Sequence, residues 1–304
     1  MRKLTACLSA SGLDRVALCA REKVGPACLA LCRGLASVAG TVRRQLRGVP
    51  RVVSAKTAYK EESAILRTSY SLKEIATLSE RSEMAPVVGY WDVRALAQFI
   101  RNLLVYKGVQ FQDKLYKFGP APDFDRSAWL KEKFTLGLKF PNLPYYIDGD
   151  VKITQSLAIL RYLGRKHDLA GKNEEETLEL DVLEQQARDL NMRLLYSTAP
   201  NPNHEEVLKS YADNIDNVLK PWEEHLASRK WALGDRLTYV DFLLYEGLDW
   251  HREFKAEAVQ RHPHVVEYLK RFEELPNLKE YFASDKYHKY PILGPFRKWG
   301  YEKK

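Results

Sequence analysis

Apolar residues change their spacing soon after residue 84, from that of a buried strand to that of a helix. Val87 and Val88 form a short apolar run, which predicts a strand. Between Val93 and Leu104 apolar residues recur three and four apart, which is the spacing of one helix face. Asp92 stands between the two patterns and can cap a helix. The chain is therefore expected to pass from the strand straight into the helix.

Further along, the pattern predicts the rest of an α/β domain. The predicted elements are a strand over 109–116, a Gly- and Pro-containing loop over 117–124, a helix over 126–134, a strand entered through 140–146, a hairpin turn at 148–150, a strand over 151–153 and a helix over 155–166. Asp125 and Thr154 are the side chains expected to cap the two helices. This order is the outline of a thioredoxin-like domain.

Beyond that domain every periodic stretch is helical. The predicted helices cover 174–198 and 204–227, and further helices begin at Thr238, Pro263 and Pro276. Pro221 is expected to kink or break the second of them. Thr238 and Asp241 have the spacing of a capping box, with the acid in place of the usual Glu. The tail from residue 284 has no periodicity.

These patterns divide the chain into an extension over 1–83, a thioredoxin-like domain over 84–166, a linker over 167–172, an all-helical domain over 173–290 and a tail over 291–304. The net charge of +8 comes entirely from the extension, which holds 15 of the 48 Lys and Arg and 7 of the 40 Asp and Glu. The rest has 33 residues of each sign and is neutral. A neutral body is not expected to bind nucleic acid. No apolar stretch approaches the roughly 20 residues of a membrane span.

The extension is rich in Arg, Ser and Ala and holds all four cysteines, Cys7, Cys19, Cys28 and Cys32. Arg-rich, acid-poor composition is typical of a mitochondrial transit peptide. We favour the alternative, a disordered segment or an artefact of the chosen start codon, because Met84 looks like a natural start just before the first strand. The cysteines have no His partner at metal-ligand spacing, so no metal site is predicted.

Five stretches carry a specific resemblance to a known family. They are Gly89-Tyr90-Trp91-Asp92-Val93-Arg94, the loop and helix over 119–129, Phe140-Pro141-Asn142-Leu143-Pro144-Tyr145, Thr154-Gln155-Ser156 and the segment over 234–241. Through these stretches, residues 84 to about 290 resemble the mu-class glutathione S-transferases, and among these the arthropod members most. The proline-containing loop before Asp125 resembles the insertion that sets this class apart. The implied fold is an α/β thioredoxin-like N-terminal domain followed by an all-α C-terminal domain.

The resemblance implies a cytoplasmic homodimer that conjugates glutathione to electrophilic apolar compounds in detoxification. Glutathione is a co-substrate in this scheme, and neither a cofactor nor a metal is required. One alternative is a non-catalytic, ligandin-like carrier of apolar anions. Another is a thioredoxin-like redox protein or a cysteine-dependent transferase. The second alternative is disfavoured because no cysteine follows residue 32.

Tyr90 is the catalytic residue that the resemblance implies. A Tyr-Trp pair at a strand end is more often part of a core, but a hydroxyl that donates to sulfur favours the thiolate of glutathione. Nine further residues are implied to bind glutathione: Trp91, Arg126, Trp129, Lys133, Asn142, Leu143, Gln155, Ser156 and Asp189. Gln155 and Ser156 open a helix, whose N-terminus attracts a carboxylate. Asp189 would reach the glutathione amine across the dimer.

Three of these nine, Arg126, Trp129 and Lys133, share one helix face, where they can meet the glycyl carboxylate. The Leu143–Pro144 bond matches a cis-proline bond of the family. It turns the backbone of Leu143 toward the cysteinyl amide of glutathione.

The electrophile site is implied to include Leu96, Arg188, Met192 and Tyr196, together with the tail from Pro291 to Trp299. Arg188 is unusual there. Ala199 stands where many mu-class members have a second tyrosine, and Tyr196 lies one helical turn earlier as a substitute. Ala95 and Phe99 replace the usual Gly and Pro of the first helix. Both changes are expected to affect packing beside Tyr90.

Overall fold

The computed structural model describes residues 85–302, so the predictions for the extension over 1–83 lie outside it. The strands are β1 (Val87–Trp91), β2 (Gln112–Tyr116), β3 (Tyr145–Asp148) and β4 (Val151–Thr154). The helices of the first half are α1 (Gln98–Tyr106), α2 (Ser127–Leu130) and α3 (Ser156–Lys166). Those of the second half are α4 (Glu174–Ser197), α5 (His204–Asp213), α6 (Ile215–Leu226), α7 (Tyr239–Phe254), α8 (Ala256–Val259), α9 (Pro263–Glu273) and α10 (Leu278–Phe282).

The four strands form one mixed sheet in the order β2-β1-β3-β4. β1 runs parallel to β2 and antiparallel to β3, and β3 and β4 form the predicted hairpin. Gly89 lies opposite Tyr145, and a Cβ on Gly89 would be 2.1 Å from Cζ of that ring. Glycine is therefore required there because the Tyr145 ring occupies the space that a Cβ would fill. The thioredoxin-like fold class is confirmed.

The expected passage from β1 straight into a helix is wrong. Asp92 caps no helix; the chain bends, and a short 3-10 turn over Ala95–Ala97 precedes α1. The N–H groups of Arg94 and Ala95 donate instead to the carbonyls of Pro291 and Ile292, at 2.8 and 2.9 Å. The C-terminal tail thus accepts hydrogen bonds from N–H groups that a helix start leaves without a partner.

Two other helix starts differ from their predictions. Thr154 ends β4, and Gln155, with φ 73°, is the N-cap of α3 in place of Thr154. α2 spans only Ser127–Leu130, although the Asp125 carboxylate accepts from the Ser127 N–H at 3.1 Å as a capping group would. Beyond α2 the bond from Thr135 N–H to the Glu132 carbonyl spans three residues, so the chain continues as turns rather than as a helix.

The helical half is built around α7, whose residues from Tyr239 to His251 are all buried. The capping box of Thr238 and Asp241 is confirmed, and the Asp241 carboxylate accepts from the Thr238 N–H at 2.8 Å. The predicted helix over 204–227 divides at Asn214, not at Pro221, which lies inside α6. α6 tolerates the proline because its apolar face is buried in the core.

The two proline-initiated helices also differ from one another. α9 begins at Pro263 as predicted, whereas α10 begins at Leu278, two residues after Pro276. Asn277 between them has φ 66°, a conformation that a helix cannot include.

Candidate active site

Tyr90 lies at the end of β1 with 7% of its surface exposed. Burial raises the pKa of its hydroxyl to about 12, although a backbone hydrogen bond from Leu96 and the positive charges of Arg101 and Arg297 act in the opposite direction. The hydroxyl is therefore protonated at neutral pH and able to donate a hydrogen bond. A donor of this kind stabilises an anion placed against it.

Two apolar clusters meet beside Tyr90. The first contains Tyr90 itself, and the second contains Trp129 with Tyr145. Trp91 and Leu143 pack against both clusters. Tyr90 and three other predicted site residues, Trp91, Trp129 and Leu143, are thus brought together from three separate segments.

Trp129 is held in position by two tyrosines. Its ring stacks on Tyr145 with centroids 6.1 Å apart and meets Tyr116 edge-on at 5.3 Å. The Lys133 N–H donates to the Trp129 carbonyl at 2.9 Å. Because α2 ends at Leu130, the single helix face predicted for Arg126, Trp129 and Lys133 is wrong, and Lys133 lies in the turns that follow α2. Arg126 is exposed at the start of α2.

Leu143 carries the backbone edge expected beside the thiol. Its peptide bond to Pro144 is cis, as the resemblance implies. Its N–H donates to Oδ1 of Asn142 at 2.9 Å. To pair with a peptide ligand, this N–H must break its hydrogen bond to Asn142 and donate to a carbonyl of the ligand instead.

A second group of predicted residues lines a cleft of about 230 Å³ between the start of α3 and the inner face of α4. We call it the α3–α4 cleft; the predicted residues that line it are Leu96, Gln155, Ser156, Arg188 and Met192. Leu96 joins this cleft to the catalytic candidate, because its backbone bonds to the Tyr90 hydroxyl while its side chain lines the cleft. Residues predicted for glutathione and for the electrophile therefore share one cavity.

The remaining two predicted residues lie on the solvent side of α4. Asp189 has 53% of its side chain exposed and pairs at 3.8 Å with the neighbouring Arg188. Tyr196 is 64% exposed and lies one helical turn beyond Met192. Neither is among the residues that line the α3–α4 cleft. Their roles stay predictions.

Comparison with known proteins decides the family. The family model described as "Glutathione S-transferase, N-terminal domain" matches residues 86–165, and "Glutathione S-transferase, C-terminal domain" matches 187–285. A glutathione S-transferase of Mesocricetus auratus is 46% identical over 216 residues, which are 71% of this chain and 99% of that protein. Glutathione S-transferase Mu 2 of Rattus norvegicus is 45% identical over 216 residues, with the same shares. Glutathione S-transferase Mu 1 of Homo sapiens is 44% identical over 217 residues, again with these shares.

The chain belongs to the mu class of the glutathione S-transferase family. Among solved structures, that of the glutathione S-transferase Blo t 8 superimposes with a TM-score of 0.66 at 39% identity, covering 71% of this chain and all of that one. The fold and the enzyme class inferred from the sequence are thus confirmed. The part of the chain that the family models match begins at residue 86. The extension lies outside the match.

Four residues that line the α3–α4 cleft were not among the predicted site residues: Phe99, Leu157, Asn191 and Leu243. Phe99 could have been found, because it is the large residue where the family usually has proline. Asn191 is 1% exposed and donates through Nδ2 to the Leu243 carbonyl at 3.3 Å. Asn191 and Glu184, seven residues earlier, are the two buried polar residues on the apolar face of α4, and such a position was the available signal for Asn191.

Two other kinds of feature, a metal site and a membrane-spanning helix, are absent from the described part of the chain. Among residues 85–302, no group of three or more His, Cys, Asp or Glu side chains is placed to hold a metal ion. Over the same residues, no helix has the length and apolar character to cross a membrane.

Proposed function

We propose that this transferase joins the thiolate of glutathione to electrophilic apolar compounds and that Tyr90 stabilises the thiolate. The observation that carries the proposal is the Tyr90 hydroxyl, buried, protonated at neutral pH, and adjoining both groups of site residues. A free thiol has a pKa of roughly 8.5, so only a few per cent is ionised at pH 7. A hydrogen bond donated to sulfur lowers this pKa and increases the reactive fraction.

The charges of glutathione match the ends of the proposed site. The γ-glutamyl end would lie at Gln155 and Ser156, where α3 begins with no acidic side chain in its first turn. The glycyl carboxylate would meet Trp129 and Lys133, with Arg126 close by. Between them, the cysteinyl unit would pair with the backbone of Leu143. The sulfur then comes to the Tyr90 hydroxyl.

The electrophile binds beside the sulfur in this proposal. Leu96 and Met192 offer apolar surface in the α3–α4 cleft, and Arg188 lies among them. Tyr196 is proposed to contribute once a substrate fills the space near the end of α4. No cofactor takes part, since glutathione itself supplies the nucleophile. Conjugation of toxic electrophiles is the cellular role that this chemistry serves.

We also propose that the transferase is a homodimer. Leu178 and Val182 lie four residues apart on α4 and are 65% and 57% exposed, and Phe140 is 68% exposed. Leu178 and Val182 form an exposed apolar pair on one face of α4, and such a surface marks an interface. Asp189, exposed on the same helix, would then reach the glutathione amine bound to the partner. Sedimentation velocity of Phe140→Ser and Val182→Asp variants tests this, with a shift to monomer expected and an unchanged dimer counting against it.

Replacing Tyr90 by Phe tests the catalytic role. A hydrogen bond to a charged group is worth about 1.5–3 kcal/mol, so kcat/KM with a chlorodinitrobenzene is expected to fall by about 10- to 100-fold. The pKa of bound glutathione, followed by its thiolate absorbance, is expected to rise. Tyr245→Phe is the matched control, because its buried hydroxyl donates to Glu273 at 3.1 Å, away from the site.

Three outcomes distinguish the candidate functions. Loss of conjugation with intact ligand binding in Tyr90→Phe supports catalysis by Tyr90. Equal activity of Tyr90→Phe and the wild type contradicts the role of the hydroxyl. Binding of apolar anions without any conjugation by the wild type indicates the ligandin-like carrier instead. Cytoplasmic localisation stays a prediction, and the mass of the native N-terminus tests the mitochondrial alternative.

A further inference from the structure

Arg188 places a positive charge in a cleft whose walls are otherwise apolar or uncharged. Among the described residues that line the α3–α4 cleft, Arg188 alone carries a charge. Leu96, Phe99 and Met192 supply apolar surface around it. An apolar pocket with one well-placed charged group selects ligands that have a matching charge.

The guanidinium of Arg188 is available to a ligand. Its side chain is 45% exposed, and its ion-pair partner is Asp189 at 3.8 Å, itself 53% exposed. An exposed pair at this distance contributes little stability, so a ligand can displace it at low cost. The planar guanidinium fork binds a carboxylate with two parallel hydrogen bonds.

The start of α3 is a second positive feature of the cleft. Ser156, the first residue of α3, lines the same cleft, and α3 is eleven residues long with no acid in its first turn. The N-terminus of such a helix carries a partial positive charge. The proposed function assigns this partial charge to the γ-glutamyl carboxylate of glutathione, which leaves the guanidinium of Arg188 as the positive charge in the cleft for an electrophile.

Cleft size favours a small ring compound. An engineered cavity of about 150 Å³ takes up benzene. The α3–α4 cleft, at about 230 Å³, is large enough for a substituted aromatic ring. Its link through Leu96 to the Tyr90 hydroxyl brings the ring near the position proposed for the sulfur.

We infer that the preferred electrophiles of this transferase are anionic, with a carboxylate held by Arg188 and an apolar body held by Leu96, Phe99 and Met192. The inference rests on the proposed conjugation. With 4-chloro-3,5-dinitrobenzoate the thiolate sulfur forms a bond to the ring carbon that bears chlorine. The C–Cl bond then breaks, chloride leaves with the electron pair, and the thiol proton has already passed to solvent.

The test compares 4-chloro-3,5-dinitrobenzoate with its uncharged methyl ester in the wild type and in Arg188→Gln. Loss of a charge-assisted bidentate contact is expected to lower the ratio of kcat/KM for the acid over that for the ester by about tenfold or more. Arg188→Lys should retain part of the preference. Arg193→Gln is the matched control, because Arg193 is exposed on α4 but does not line the cleft, and its ratio should equal that of the wild type.

Other outcomes overturn the inference. A rise in the KM of glutathione in Arg188→Gln with an unchanged acid-to-ester ratio assigns the guanidinium to the γ-glutamyl carboxylate, which also binds near Ser156. An unchanged ratio together with an unchanged KM makes Arg188 a solvated surface arginine.

A binding experiment separates this inference from the proposed function. Calorimetric titration with the unreactive 3,5-dinitrobenzoate, in the presence of glutathione, does not depend on turnover. Arg188-dependent binding without any conjugation supports the anion site and contradicts the proposed catalysis. Equal affinity of the wild type and Arg188→Gln for this probe counts against the anion site even if conjugation is observed.

Discussion

Nε of Arg94 lies 2.8 Å from Oε2 of Glu246, and both side chains are fully buried although 152 residues separate them. Arg94 follows Tyr90 by four residues, and Glu246 belongs to α7. Asp249, one turn further along α7, is a second carboxylate that pairs with Arg94. Although burial by itself raises the pKa of Asp249, Arg94 and Arg252 bring it below its usual range. The segment after Tyr90 is thus fastened to the helical half by a buried ion-pair network.

Removing the cation of this network is expected to destabilise the protein strongly. Arg94→Ala leaves Glu246 buried without a cation, while Asp249 keeps Arg252, and breaking such a buried pair costs about 3–5 kcal/mol in free energy of unfolding. Urea unfolding checks the value. Lys209→Ala is the control, since Lys209 belongs to an exposed pair with Asp213 and its loss should leave the unfolding midpoint unchanged. Equal midpoints for the two variants would contradict the role of the network.

Ala95 has φ 26°, in the left-handed region that a Cβ disfavours. Ala95→Gly removes this strain, worth about 1–2 kcal/mol, at an entropic cost of about 0.5–1 kcal/mol, so a slight gain in stability is expected. Ala97→Gly is the matched control two residues on. Ala97 has φ −99° and is fully buried, so the same change there should destabilise. Thermal unfolding of both variants checks the opposite signs, and a loss in both would contradict backbone strain at Ala95.

His251 is buried in its neutral form. Its Nδ1 lies 2.6 Å from the Gly247 carbonyl, and its Nε2 lies 2.7 Å from the Tyr211 hydroxyl. Burial lowers its pKa to about 4. Because the unfolded pKa is about 6.5, its contribution to stability is present above that pH and is lost as pH falls toward 4. Between pH 7 and pH 5 the free energy of unfolding should fall by about 2 kcal/mol on account of this residue.

The His251→Gln variant isolates that contribution. Asp241 has a pKa raised by burial to about 6, so its effect on stability has the opposite sign between about pH 4 and pH 6. Because Asp241 is present in both proteins, its contribution cancels when the pH dependence of the free energy of unfolding is compared between the wild type and the variant. A smaller loss of stability between pH 7 and pH 5 is expected in His251→Gln. Parallel curves would rule out the buried neutral histidine as the source.

An aromatic contact connects the predicted glutathione site with the tail. Trp91 stacks on Phe118 with ring centroids 4.4 Å apart, and Phe118 meets Phe296 of the tail edge-on at 5.9 Å. Phe118→Ala removes the stack that supports Trp91. An aromatic pair is worth about 0.5–1.5 kcal/mol, so the KM of glutathione is expected to rise by about 2- to 10-fold.

Phe124→Ala is the control for the tail contact. Phe124 meets Phe296 and Tyr301 edge-on but has no ring contact with Trp91. Its replacement should therefore leave the KM of glutathione near the wild-type value. Equal rises in both variants would assign the effect to docking of the tail rather than to Trp91.

Local sequence was enough to predict the features that depend on near neighbours. The strand at Val87, the hairpin at Gly149 and the capping box of Thr238 and Asp241 each follow from spacing and turn chemistry. The break between α5 and α6 was misplaced, because Pro221 is the obvious breaker by propensity. Burial of Trp222 and Leu226 on the face that α6 turns to the core outweighs that propensity.

The sequence by itself determined the order of strands and helices, the family and the chemical type of each proposed site residue, because these depend on periodicity and on short motifs. Only the tertiary structure decided which residues meet. The bend after Tyr90 exists because Arg94 and Ala95 donate to carbonyls of the distant tail. Arg188 shares a cleft with the start of α3 because α4 packs there. Such contacts join residues far apart in the chain, and local spacing carries no information about them.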